Sequence, residues 1–259
     1  MNEFFTFPPS GRLRSPFTEK FAAPRQPGLV NAAWAELHLA ASCNREEILR
    51  GLSGFSHIWL IFVFHQVAAG DWSPTVRPPR LGGNQRLGVF ATRSPFRPNP
   101  IGLSAVKLEG IENRQGNWLL HLSGVDLVDE TPILDIKPYV PYADAITEAD
   151  AGFTAALPDE IVTVGFSEPA SASLRTLEAD YPHLKILIQQ VIGQQPQPGY
   201  RRGNALRRSY GMMLYDVNVR WEAEGTNCVG SVVMRFSTIG QGSESEPPPG
   251  MMRDSWRNA

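Results

Sequence analysis

The sequence predicts a mostly β protein, with a small barrel or sandwich in its N-terminal part and a smaller α+β unit behind it. Three observations carry this. Short runs of β-branched and aromatic residues recur through residues 1–142. Turns containing Pro and Gly separate them, which favours a barrel or sandwich over a doubly wound sheet. Helix-period patterning is concentrated near residues 169–193.

The elements follow in order. "NREEILRG" (44–51) reads as one short helix, with Asn44 as N-cap, Glu47 three residues later and Gly51 past the last turn. "SHIWLIFVF" (56–64) lacks caps and suits a strand buried on both faces. In a strand over 57–66, His57, Trp59, Ile61, Val63 and His65 share one side, and Ile58, Leu60, Phe62, Phe64 and Gln66 the other. "LSAVKLEGI" and "NWLLHLSGV" flank the turn-like "NRQG" and read as a hairpin. Residues 143–160 are acidic and rich in small side chains, as a linker would be. In 161–238 a helix is expected near 169–180 and a break before Pro182. A second helix near 183–193 is apolar at Leu184, Leu187, Ile188, Val191 and Ile192. "YGMMLYDVNVRWEA" and "CVGSVVMRF" read as two strands, and 239–259 as a disordered tail.

Composition excludes several classes. The chain has 259 residues, 42% apolar and 19% charged, which is ordinary for a soluble domain with a sizeable core. The N-terminus lacks a basic segment followed by an apolar one, and the longest apolar run, "IWLIFVF", is too short to cross a bilayer. Cys43 and Cys228 make neither a metal motif nor a disulfide framework, so a cytoplasmic protein without membrane attachment is expected. His38, His57, His65, His121 and His183 show no metal-ligand spacing, and no metal is expected. There is no G-x-S-x-G elbow, and "LGGNQRLG" matches neither a Walker loop nor a dinucleotide fingerprint.

Charge is segregated. The formal net charge is only -2, yet Trp72 to Leu108 contains no acid while holding Arg77, Arg80, Arg86, Arg93, Arg97 and Lys107. A second acid-free stretch, Pro182 to Tyr215, carries Lys185, Arg201, Arg202, Arg207 and Arg208. Prolines stiffen "ATRSPFRPNPIG", so its arginines lose little freedom on meeting an anion. The aromatic residues Phe90, Phe96, Tyr200 and Tyr210 are placed to stack on bases, and together these signals point to nucleic acid. The carboxylates of "VDLVDETPILDIKPYVP" (Asp126, Asp129, Glu130 and Asp135) fit either turn chemistry or a patch of acceptors for a cation, an amine or a metal.

"FAAPRQPGLV", "FSHIWLIFVFHQ", "PRLGG", "GVFATRSPFRPNPIGLS" and "LVDETPILDIKPYVP" occur in an order and at spacings that resemble the TsaA/TrmO family. The resemblance is dense over roughly 5–142 and thinner from "PGYRRG" to "YDVNVRW". It implies a β-barrel-like, non-Rossmann methyltransferase that uses S-adenosylmethionine. Its expected substrate is the N6 of the threonylcarbamoyl-adenosine beside the anticodon of threonine tRNA. It also implies a homodimer with the methyl donor bound near the subunit interface. By motif, Pro24, Arg25, Gln26, His65, Gln66, Arg93, Leu103, Asp129, Thr131 and Asp135 would hold the donor. Asp129 or Asp135, or else water, would take the N6 proton, while Arg77, Arg80, Arg97, Arg201, Arg202, Arg207 and Arg208 would hold tRNA. Where the family has "DGTP" this chain has "DETP", so Glu130 is strained if that turn needs a positive φ. A non-catalytic RNA-binding protein and a methyltransferase acting on a small acceptor are the rival readings.

Overall fold

The computed structural model describes residues 5–68, 70–78, 81, 85–154, 164–194, 208–223 and 232–237. Eight strands lie in the N-terminal part: β1 (Gly11–Arg14), β2 (Ala35–Leu39), β3 (His57–Val63), β4 (Thr75–Val76), β5 (Leu87–Gly88), β6 (Ile101–Arg114), β7 (Asn117–Ser123) and β8 (Thr131–Pro138). Six of them close an antiparallel barrel in the order β1-β2-β7-β6-β3-β8. Closure comes from β1 pairing β8, with Gly11 opposite Ile133 and Leu13 opposite Thr131. The mostly β, barrel-based architecture expected from the sequence is the one observed.

Alternation builds the core. Leu13, Leu37, Ile58, Leu60, Phe62, Val106, Leu120, Leu122 and Ile133 are buried, and burial of such side chains is the main driving force for closing the barrel. The strand over 57–63 differs from expectation: Ile58, Leu60 and Phe62 are buried, whereas His57 is exposed and Trp59, Ile61 and Val63 are only half-buried. One face of β3 fills the barrel and the other lies on its outside.

The hairpin is present as β6 and β7, joined by Gln115 and Gly116 at φ 54° and 85°. Two consecutive positive φ values give the mirror-image turn whose twist matches antiparallel strands. The helix expected over 44–51 is instead a short 3-10 turn, Glu46–Leu49, with Arg45 at its N-cap and no side-chain cap. Asn44 has other partners. Its Nδ2 donates to the Gly116 carbonyl at 2.8 Å, and its Oδ1 accepts from the Trp118 N–H at 2.7 Å, so it fastens the hairpin turn.

Farther along come α1 (Pro141–Asp144), α2 (Glu168–Leu177) and α3 (Leu184–Gly193). Ser167 caps α2, accepting from the Ala170 N–H at 3.4 Å. The apolar positions expected for α3 are its buried ones. "YGMMLYDVNVRWEA" is a hairpin rather than one strand: β9 (Arg208–Leu214) turns at Tyr215 and Asp216 into β10 (Val217–Ala223), and β11 (Val232–Ser237) completes a three-stranded sheet. The expected tail, 239–259, lies outside the described residues.

Contacts divide the chain into two units. One holds Met1–Pro16, Arg25–Trp72 and Pro95–Ala149, and contains the barrel. The other groups Phe17–Pro24 and Ser73–Ser94 with Asp150–Ala259. Two segments inside the expected 1–142 domain therefore group with the C-terminal residues. For 17–24 the cause is packing: fully buried Phe17 bridges Leu214, Phe21 stacks on Trp221, and Glu19 accepts from the Met213 N–H at 3.0 Å.

Candidate functional site

In the barrel unit, β3 carries the register that organises the outer surface. Ile61 faces Leu103 on β6 and Asp135 on β8, so the three side chains form one row across the sheet. Neighbouring strands lie about 4.8 Å apart, which puts Leu103 and Asp135 about 10 Å from each other. An irregularity between Ile61 and Phe62 skips Leu134 and turns Asp135, rather than its neighbour, outward beside Ile61. Leu103 is 51% exposed and Ile101 44%, an apolar strip flanked by half-buried Ile61 and Val63. His65 and Gln66 occupy an exposed turn directly after this strand, held by Phe64 N–H donating to the Pro100 carbonyl at 2.8 Å.

A cleft of about 350 Å³ continues along the outside of β6, lined by Gly28, Asn31, His57, Lys107, Glu109 and Ser123. The Gly28 N–H donates to the Gly124 carbonyl at 2.9 Å. That bond fixes the turn carrying exposed Arg25 and half-buried Gln26 to the end of β7. The structure thus brings Leu103 and Asp135 together beside Ile61, with His65 and Gln66 just past the end of β3, whereas the turn of Arg25 and Gln26 is fastened at the β7 end of the cleft. The cleft's polar walls were not singled out in the sequence. Their signal was weak, because only pairing with β3 and β7 reveals that Lys107 and Glu109 face His57 and Ser123. Ser123 donates to Glu109 at 2.6 Å, and with Lys107 it holds the Glu109 carboxyl below its usual range.

The remaining acidic positions serve the turn before β8. Asp129 accepts from the Ser15 N–H at 2.9 Å and lies 3.6 Å from the Arg14 guanidinium. Glu130 has φ 62°, the left-handed conformation that the family's glycine foreshadows. Its N–H donates to the Leu13 carbonyl at 2.8 Å, its carbonyl accepts from Arg12 at 3.1 Å, and its carboxylate pairs with Arg14. Thr131 is buried, with its hydroxyl donating to the Val128 carbonyl at 2.5 Å. Asp129, Glu130 and Thr131 therefore fasten the turn to β1, while Asp135 stands on the open face. Asp135 accepts from the Ile136 N–H at 2.8 Å and pairs with Lys137 at 2.8 Å.

The other unit contains Pro24, Arg77 and Arg93. Arg93 is exposed, and the Nε of half-buried Arg77 has no hydrogen-bond partner among the described residues. Arg97 lies half-buried in the barrel unit. Arg80, Arg201, Arg202 and Arg207 lie outside the described residues, and Arg208 is described only as backbone at the start of β9. Among the described residues no group of three His, Cys, Asp or Glu side chains could hold a metal ion, and no helix is long and apolar enough to cross a membrane.

The residues at this face suit S-adenosylmethionine. An exposed apolar strip offers a surface to a nucleoside, and Asp135 supplies an anionic acceptor for a hydroxyl or an amine. Comparison with known proteins agrees. Residues 12–145 match the model of the tRNA-methyltransferase O N-terminal domain, and residues 159–234 that of the TrmO C-terminal domain. The tRNA (adenine(37)-N6)-methyltransferase of Escherichia coli K12 is 50% identical over 217 residues, 84% of this chain and 92% of that one. A Pseudomonas aeruginosa relative, RcsF, grouped by its description with S-adenosylmethionine-dependent methyltransferases, is 48% identical over 82% of this chain and 90% of its own. A crystal structure of TrmO from the same organism superposes with a TM-score of 0.74 at 38% identity, covering 92% of this chain and 99% of that one. Both domain models in order along one chain, with 50% identity to a tRNA (adenine(37)-N6)-methyltransferase over 84% of it, place this protein in the tRNA-methyltransferase O family.

Proposed function

We propose that this chain transfers the methyl group of S-adenosylmethionine to N6 of the threonylcarbamoyl-adenosine beside the anticodon of tRNA, threonine tRNA being the expected isoacceptor. The observation that carries the proposal is the match of both family domains in one chain, together with 50% identity over 84% of it to a tRNA (adenine(37)-N6)-methyltransferase. The barrel within residues 1–142 forms the donor domain, 143–160 the linker and 161–238 a unit that contributes to tRNA choice.

When bound, S-adenosylmethionine supplies an electrophilic methyl on a sulfonium, so the chain's own task is alignment and exclusion of water. Leu103 and its apolar neighbours cover the donor, and Asp135 accepts a hydrogen bond from it. Arg25, Gln26, His65 and Gln66 are assigned to the same donor by motif. Pro24 and Arg93 are the motif's remaining candidates for donor contact. Asp129 and Thr131 act through the turn they hold. Asp135 is the better placed of the two aspartates to receive the N6 proton, since its side chain is 49% exposed on the open face whereas that of Asp129, bound to Ser15 and Arg14, is 26% exposed. Arg77, Arg80, Arg97, Arg201, Arg202, Arg207 and Arg208 neutralise tRNA phosphates.

Exposure of Ile101 and Leu103 supports a homodimer with the donor near the interface, because a donor-lining leucine left half in water is covered when a second copy docks. The cytoplasm is the proposed compartment. The test is incorporation of a labelled methyl from S-adenosylmethionine into tRNA lacking the modification, repeated across a salt series. Incorporation that weakens steeply with salt supports the reading. Tight tRNA binding without donor binding would favour the RNA-binding rival, and transfer insensitive to salt a small acceptor.

A further inference from the structure

Of the four aromatic residues that the sequence places near basic ones, the structure singles out Phe90. Tyr200 lies outside the described residues, Phe96 is half-buried, and Tyr210 stacks on Trp221 with ring centroids 5.5 Å apart. Phe90 is 82% exposed. Its backbone is nevertheless pinned. Phe90 occupies a 3-10 turn, Val89–Ala91, directly after β5. The Val89 N–H donates to the Pro74 carbonyl at 3.0 Å, tying the turn to the start of β4. The Thr92 N–H and hydroxyl both donate to the Val89 carbonyl, at 3.1 and 2.9 Å. Val89 and Val76 are buried beneath, and Arg86 donates to Thr75 Oγ1 across the ribbon at 3.1 Å. A fixed turn therefore holds the ring in water.

Charge selects the partner. No acid occurs from Trp72 to Leu108, and Arg86 and Arg93, both exposed, flank Phe90 in sequence. A bare aromatic among guanidiniums suits a polyanion whose bases offer π-faces; an apolar protein surface would have to desolvate those charges. Enzymes that act on a base take it out of its stack and leave a neighbour uncovered.

We propose that Phe90 is a stacking platform for an unpaired nucleobase of the tRNA anticodon loop. The proposal rests on the tRNA reading above and adds a specific contact to it. Because stacking needs a ring, Tyr or Trp can replace Phe90, whereas Ala or Leu cannot. Because stacking is not ionic, its loss lowers affinity without changing the salt slope.

The experiment titrates the full-length protein with a labelled anticodon stem-loop RNA over a salt series. Phe90→Ala is expected to weaken binding roughly tenfold, within the range for loss of one base–aromatic stack, with an unchanged slope. Phe90→Trp is expected to restore it, and Arg77→Ala, at a position assigned to tRNA phosphate, to reduce the slope by about one. Wild-type affinity in Phe90→Ala, or Phe90→Leu equal to Phe90→Trp, would overturn the proposal. So would dissociation of a dimer by Phe90→Ala in sedimentation, which would make the ring a subunit contact. Wild-type protein that binds the stem-loop through Phe90 yet transfers no methyl group would sink the methyltransferase reading and leave the stacking contact standing.

Discussion

Glu130 occupies the left-handed region, where a side chain costs roughly 1 kcal/mol or more relative to glycine. Its ion pair with Arg14 offsets part of that cost, since exposed pairs are worth about 0.2–1 kcal/mol. Glu130→Ala keeps the strain and loses the pair, so it should unfold at a lower urea concentration than wild type, by about 1 kcal/mol of stability. Glu130→Gly should stay within roughly 0.5 kcal/mol of wild type. If Glu130→Ala proved the more stable of the two, this account of the turn would be wrong. Asp135 and Asp129 should separate in the same way. Asp135→Asn should raise the donor KM about tenfold with stability unchanged, whereas Asp129→Ala should cost about 1–2 kcal/mol in urea through the lost Ser15 N–H acceptor. The strain at Glu130 was legible in the sequence, because "DETP" replaces an expected glycine. The engagement of Asp129 was not, because its partners Ser15 and Arg14 lie more than a hundred residues away in sequence.

At the scale of elements, misreadings trace to side chains that found better partners at long range. Asn44 looked like a helix cap because cap and turn chemistry use the same short polar side chains. Its amide instead holds the β6–β7 turn, so Asn44→Ala should lower stability by about 1 kcal/mol while leaving the 3-10 turn's circular dichroism contribution unchanged. The β9–β10 turn escaped notice for a related reason. Tyr215 takes φ 54° without glycine or asparagine chemistry, stacking on Tyr181, whose hydroxyl donates to Asp216 at 2.7 Å. That bond pushes the Tyr181 hydroxyl up to about 12. On the barrel's exterior, Arg114 joins Glu36 of β2 and Glu112 of its own strand, with His38 and His121 alongside. Hydrogen bonding from Arg114 holds the Glu36 carboxyl below its ordinary 4.5. A carboxyl depressed in the folded state releases its proton more readily there than in the unfolded chain. Its stabilising effect is present above pH 4.5 and is lost as pH falls through the folded value. Arg114→Gln should therefore move the acid-unfolding midpoint, followed by circular dichroism, to higher pH; an unchanged midpoint would remove this network from the account.

At the scale of the whole molecule, the barrel was legible as a class because alternation, short runs and turn residues all agree. Its closure was not, since β1 pairs β8 across more than a hundred residues of sequence. Nor was the grouping of 73–94 with the C-terminal residues, which no local pattern encodes. The candidate site was legible only through the family's ordered motifs. Those motifs named Leu103 and Asp135, and the strand register explains why the two belong to one face. That face is the proposed subunit contact. Leu103→Asp should yield monomers in sedimentation and lower donor affinity by tenfold or more in calorimetry. Monomers with intact donor affinity would place the donor away from the interface.

The central claim is the identity of the acceptor atom. Nucleoside mass analysis after methyl transfer tests it most directly, using tRNA with and without the threonylcarbamoyl group. The account requires a single added methyl at N6 of the threonylcarbamoyl-adenosine beside the anticodon. A methyl found on any other nucleoside, or no transfer despite measurable binding of both S-adenosylmethionine and tRNA, would contradict it.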